Sequence, residues 1–202
     1  MKSTFKISAL VLAFAGLAFG AQAQTNPTST KTTTGSNGVI ISVGADAGIP
    51  TGDFSNAYNW NLGGSVQADI PVLKNQLFVT VNAGYNNFFG KKNLATIDGT
   101  SFDAPNVQLL PVKAGLKYFP VSHFYIQGEA GAAFALNKSD VGFDKSAAFI
   151  YAPSIGYQFP LGGKSYLDAG VRWESSTKFV SAADDSKINF FGLRVAYAFD
   201  TK

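Results

Sequence analysis

Nine ionisable side chains are the candidates for any chemistry in this chain: Asp46, Asp69, Lys113, Lys117, Glu129, Asp168, Arg172, Glu174 and Arg194. Each has apolar or small neighbours on both sides, as in Val112-Lys113-Ala114 and Leu116-Lys117-Tyr118. Five are acids and four are bases, so their charges nearly cancel. Matched charges set among apolar residues suit an enclosed space where they can pair. Acid–base or nucleophilic catalysis would need more. The single histidine, His123, stands in a turn-like run, Val121-Ser122-His123, with no partner signalled nearby. No Gly-rich phosphate loop, nucleophile elbow or metal-ligand spacing occurs. Asp140, Asp144, Asp184 and Asp185 lie in polar loop stretches and read as solvated charge. No catalytic, cofactor-binding or metal-binding residues are expected, and the nine charges are read as one internal network.

The elements that would position them repeat with period two. Apolar residues alternate with small or polar ones over 39–49, 60–70, 77–85, 110–118, 124–134, 149–159, 167–173 and 191–199. Such alternation marks strands with one apolar and one polar face. All nine charges fall on the polar face. Counted with their flanking residues, the segments run to about 11–13 residues each, longer than the ~5–6 of an ordinary globular strand. At ~3.3 Å per residue and ~40° tilt they rise roughly 30 Å, the thickness of a bilayer core. Short turns near 71–76, 119–123 and 160–164 alternate with longer polar loops, the longest over about 88–105. Pro111 and Pro153 each remove a ladder donor, so local bulges are expected there.

Eight such strands predict an all-β, antiparallel up-and-down barrel. A soluble barrel would turn its apolar face inward around a ligand, and a membrane barrel would turn it outward into lipid. Three features favour the second. The polar face carries balanced charge. Aromatic residues gather at both ends of the apolar face: Trp60, Tyr85, Phe149, Tyr151 and Trp173 toward the long loops, and Tyr118, Phe124, Tyr157, Phe159, Tyr197 and Phe199 toward the short turns. Two girdles of this kind sit at membrane interfaces. The chain also closes on Phe191-x-Leu193-x-Val195-x-Tyr197-x-Phe199, followed only by Asp200-Thr201-Lys202. Within an eight-stranded lumen, side chains fill the space. Lys113 and Glu129 are expected to pair, placed equidistant from a turn centred near Val121. Arg172 and Arg194 are expected near Glu174 and Asp46.

Composition agrees. Charged residues make up 14% of the 202 residues, against about 25% in a typical soluble domain. No cysteine is present, which excludes a disulfide scaffold and thiolate metal sites. At the N-terminus, Lys2 and Lys6 precede an apolar run over 7–20 and the small-residue pattern Ala21-Gln22-Ala23. This predicts a signal peptide over 1–23 with cleavage near Ala23. The run is shorter than the ~20 residues of a spanning helix. A polar leader follows over 24–37, before the barrel of 38–202. Without Lys2 and Lys6, 14 basic and 13 acidic residues remain, a net charge of +1. That balance gives no nucleic-acid footprint.

The signal peptide, the eight alternating segments and the terminal aromatic strand resemble the small OmpA/OmpX-like outer-membrane β-barrels, in particular the outer-membrane β-barrel proteins of Bacteroidota. The resemblance implies a bacterial outer-membrane location, lipid as the surrounding partner, and recognition of the strand from Phe191 to Phe199 by the outer-membrane assembly machinery. The expected function is non-enzymatic, structural or surface-interacting, with an unidentified extracellular partner and a monomeric state. The alternatives are a narrow channel or transporter for small molecules, or an accessory component of an export machine.

Overall fold

The computed structural model describes residues 38–202 apart from 74, 75, 94, 98, 99 and 182–185. The expected signal peptide and leader, and Asp184 and Asp185, lie outside the described residues. The elements in chain order are β1 (Ile40–Thr51), a one-turn helix α1 (Phe54–Ala57), β2 (Tyr58–Leu73), β3 (Leu77–Gly90), β4 (Ala95–Ile97), β5 (Thr100–Phe102), β6 (Val107–Val121), β7 (Phe124–Ala135), β8 (Ala147–Gly162), β9 (Ser165–Ser176) and β10 (Asn189–Asp200). Among the described residues, no helix is long and apolar enough to cross a membrane.

Eight strands close into an antiparallel barrel in the order β1-β10-β9-β8-β7-β6-β3-β2. Closure is made by β10 on β1, in unbroken register from Ile40↔Asp200 to Thr51↔Asn189. A closed sheet has no unpaired edge. The two remaining strands, β4 and β5, pair only with each other. They form a hairpin within the longest connection, which sequence periodicity alone reads as loop.

Alternating burial follows alternating polarity. Along β10, Phe190, Arg194, Ala196 and Ala198 are buried, while Phe191, Leu193, Val195 and Phe199 face outward. The outer surface is a belt of large apolar side chains, including Leu62, Val81, Leu116, Ile155 and Val171. In water such a belt would far exceed the few hundred Å² of apolar patch that a soluble monomer exposes.

Pro111 and Pro153 do not produce the expected bulges. Pro111 stays in register with Ala133, and Pro153 with Gly128. On its other side each strand skips two pairs and resumes without a slip, from Ala83↔Val112 to Asn86↔Leu109 and from Tyr151↔Ser175 to Ser154↔Arg172. A missing N–H opens the ladder on one side only, which needs no extra residue. The register shifts fall elsewhere: at Tyr58/Trp60, Pro71/Leu73, Tyr118/Val121 and Pro160/Gly162. The last three lie where a strand containing Pro71, Pro120 or Pro160 enters a short turn. Strand pairing ends there, so distortion costs little.

Candidate functional site: a sealed charge network in the lumen

The inward residues form three layers. The middle layer holds all nine charges, every one buried. In its outer tier Asp46, on β1, accepts hydrogen bonds from Arg172 Nη1 at 2.5 Å and Ser65 Oγ at 2.7 Å. Arg172 Nε lies 3.5 Å from Glu174 Oε2. Lys113 Nζ donates to that same oxygen at 2.8 Å and lies 3.4 Å from Glu129 Oε2. In the inner tier Lys117 Nζ donates to Asp69 at 2.8 Å and to Asp168 at 3.1 Å. Asp168 also accepts from the Tyr125 hydroxyl at 2.7 Å and from Gln158 at 2.9 Å. Gln67 donates to Asp69 at 2.7 Å. The Lys117 ammonium stands 4.3 Å from the Tyr125 ring centroid, which adds a cation–π contact.

Placement differs from expectation at two points. Lys113 and Glu129 do approach, but they are not directly opposite. Lys113 faces Gly131, and Glu129 faces Gly115. The turn is centred on Ser122-His123 rather than Val121, and the register shift at Tyr118/Val121 takes one residue back, so the register moves by two and the pair meets diagonally. Arg172 meets both Asp46 and Glu174 as expected. Arg194 stands opposite Asp46 across β1 and β10, but makes no direct ion pair with Asp46 or Glu174. It donates to Ser65 and Ser42, each at 2.9 Å, and touches Asp46 through the shared Ser65 hydroxyl. Glycine makes the inner tier possible. A Cβ at Gly156 or Gly170 would collide with the Tyr125 ring or hydroxyl, so two glycines on the facing strands clear the path of that phenol to Asp168.

Apolar plugs close both ends. Toward the long loops, Phe88, Val107, Leu109, Ile150, Phe179 and Phe190 are buried together, capped by Phe54 of α1. Phe88 meets Phe54 and Phe190 edge-on, each with centroids 5.2 Å apart. Toward the short turns, Ile40, Phe78, Phe119, Tyr125 and Ala198 form a second cluster. These plugs were missed in the sequence. Their signal is parity: Phe78 continues the inward series of Thr80 and Asn82, Phe119 that of Lys113 and Lys117, and Phe190 that of Arg194. Aromatic residues at strand ends read as girdle, and only the odd–even count separates plug from girdle.

Outside, the long connections fold over the mouth. Phe143 stacks on Phe179 with centroids 4.6 Å apart, and Lys145 N donates to the Phe179 carbonyl. Ser181 N donates to Asp144 at 3.1 Å. A cavity of about 20 Å³ lies in the charge layer beside Glu129, Gln67 and Arg194, room for about one water. Among the described residues, no group of three or more acids or histidines could hold a metal ion. His123 lies in the β6–β7 turn at φ 69°, its ring 5.7 Å from that of Tyr157.

No protein-family model matches the chain, and no curated protein matches it. Solved structures do. The outer membrane protein Ail of Yersinia pestis, in a phospholipid bilayer nanodisc, superposes with a TM-score of 0.50 at 18% identity, covering 80% of this chain and 99% of that one. The crystal structure of the same protein, described as the attachment invasion locus protein, gives 0.45 at 17% identity over 80% and 99%. A de novo designed transmembrane β-barrel gives 0.43 at 14% identity over 81% and 96%. The likeness to Ail in the nanodisc agrees with the strand count and closure described above. The fold is therefore that of the small eight-stranded outer-membrane β-barrels.

Proposed function

We propose that this chain is exported, inserts as a monomer into a bacterial outer membrane, and serves there as a sealed, non-enzymatic barrel that stabilises the envelope or presents its external loops to an extracellular partner. Membership of the Bacteroidota outer-membrane barrel proteins belongs to the same reading. The belt of outward apolar side chains supports the membrane location, because only hydrocarbon leaves such a surface unpenalised. Residues 191–199 form the strand that closes the barrel, which suits the role of assembly signal. The single observation that carries the sealed reading is the three-layer lumen. An ion crossing it would have to shed its water against Phe88 and Phe190, pass paired charges, and shed water again against Phe78 and Phe119.

The test is conductance in planar phospholipid bilayers. The account expects no discrete current steps from the purified barrel, and none from Glu129→Gln. Steady single-channel steps that change with Glu129→Gln would replace this reading with a gated ion path. In cells, a cysteine at Lys138 is expected to react with an impermeant thiol reagent, and one at Gly163 to stay unlabelled. The reverse pattern would invert the barrel.

A further inference from the structure

We infer that the outer wall carries a groove that holds one hydrocarbon chain of a lipid, crossing β7 and β8 at mid-depth. The inference rests on the membrane reading above and gives that reading a specific ligand class. The floor is Gly128 and Pro153, which are paired across β7 and β8. A Cβ at Gly128 would meet no atom within 4 Å, so the wall recedes there. Beside it the β8–β9 ladder is open at Ala152 and Pro153. The resulting groove measures about 650 Å³, within the ~300–1,000 Å³ of small-molecule sites.

Its flanks are the half-exposed Leu116, Ile155, Val171 and Phe191, with Trp173 at the end nearer the long loops and Tyr118 at the end nearer the short turns. The groove thus runs obliquely between the two aromatic girdles. It is continuous along its whole length with the hydrocarbon-facing belt of the barrel. Charge also selects the occupant. Arg172 borders the groove, but its guanidinium is turned inward onto Asp46. No ionised group is left for a headgroup, and the walls are almost wholly apolar. A straight saturated chain fills such a trough with dispersion contacts and loses little by leaving bulk lipid. A second barrel would meet it with a convex wall of projecting side chains and leave the floor empty.

Native mass spectrometry of the folded barrel, released from detergent micelles in the presence of a phosphatidylethanolamine, tests this. The expected result is one saturable lipid adduct per barrel. Gly128→Leu should lower that adduct severalfold, because the leucine fills the floor and removes the chain's dispersion contacts with it. Folding of the variant is checked by its heat-modifiable mobility. Position is checked in a Trp60→Phe background, where Trp173 is the remaining tryptophan. A lipid brominated along its chains should quench Trp173, and less so with Gly128→Leu. Adducts that rise without saturation and equally in both proteins would overturn the groove, as would a doubled mass in place of the adduct. A barrel that fails to enter micelles or vesicles at all would instead overturn the membrane reading.

Discussion

Lys117 sits between Asp69 and Asp168 with all three side chains buried, so the pairing of charges can be tested one residue at a time. Removing a base strands two carboxylates. Lys117→Met is expected to cost about 3–5 kcal/mol, the range for breaking a buried ion pair. Glu129 is different. The layer holds five acids against four bases, and Glu129 Oε1 has no hydrogen-bond partner. Glu129→Gln therefore brings the layer to balance and is expected to change stability by less than about 1 kcal/mol. Urea unfolding of both variants in vesicles reads the difference. Equal losses would mean that charge balance does not organise the lumen. Parity and hairpin adjacency make the approach of Lys113 and Glu129 readable in the sequence. Matching depth makes the tie from Arg172 to Asp46 readable as well. The tie from Tyr125 to Asp168 is not readable in that way, because it joins strands that are not neighbours, and the depth at which such strands face each other depends on the stagger of the closed barrel.

Each strand does two jobs, and glycine decides where they conflict. Gly156 on β8 and Gly170 on β9 leave the space that the Tyr125 ring crosses. Gly156→Val should force the ring aside, break its bond to Asp168 and destabilise the barrel by about 1–3 kcal/mol. Adding Tyr125→Ala should recover part of that loss in the same urea titration. No recovery would place the fault in the β8 backbone rather than in the ring. All eight barrel strands are legible from period two, because outward and inward faces differ so strongly in polarity. Their ends are less so. β3 runs on to Gly90 and β8 to Gly162, past the last residues of clear alternation. At the end of β3 and the start of β10 the inward residue is aromatic, and Phe88 or Phe190 no longer contrasts with its neighbours. The hairpin of β4 and β5 carries no alternation to read, since three residues per strand are too few.

The molecule as a whole is a closed sheet that buries its charges between two apolar plugs and turns a belt of large apolar side chains outward. Balanced charge, two girdles and a terminal aromatic strand make that inversion legible, since a soluble barrel needs none of them. What composition hides is how the aromatic residues divide between plug and girdle, and that division decides whether the barrel is open or sealed. The central claim is that the outer belt meets hydrocarbon. Leu193 is half exposed near the middle of β10, opposite Ala47 and Val171. Urea unfolding of Leu193→Arg in phospholipid vesicles tests the claim most directly. The account predicts a loss of about 2–4 kcal/mol, the cost of a cation at the bilayer midplane. An arginine there that leaves stability unchanged would mean that water, not lipid, surrounds the barrel.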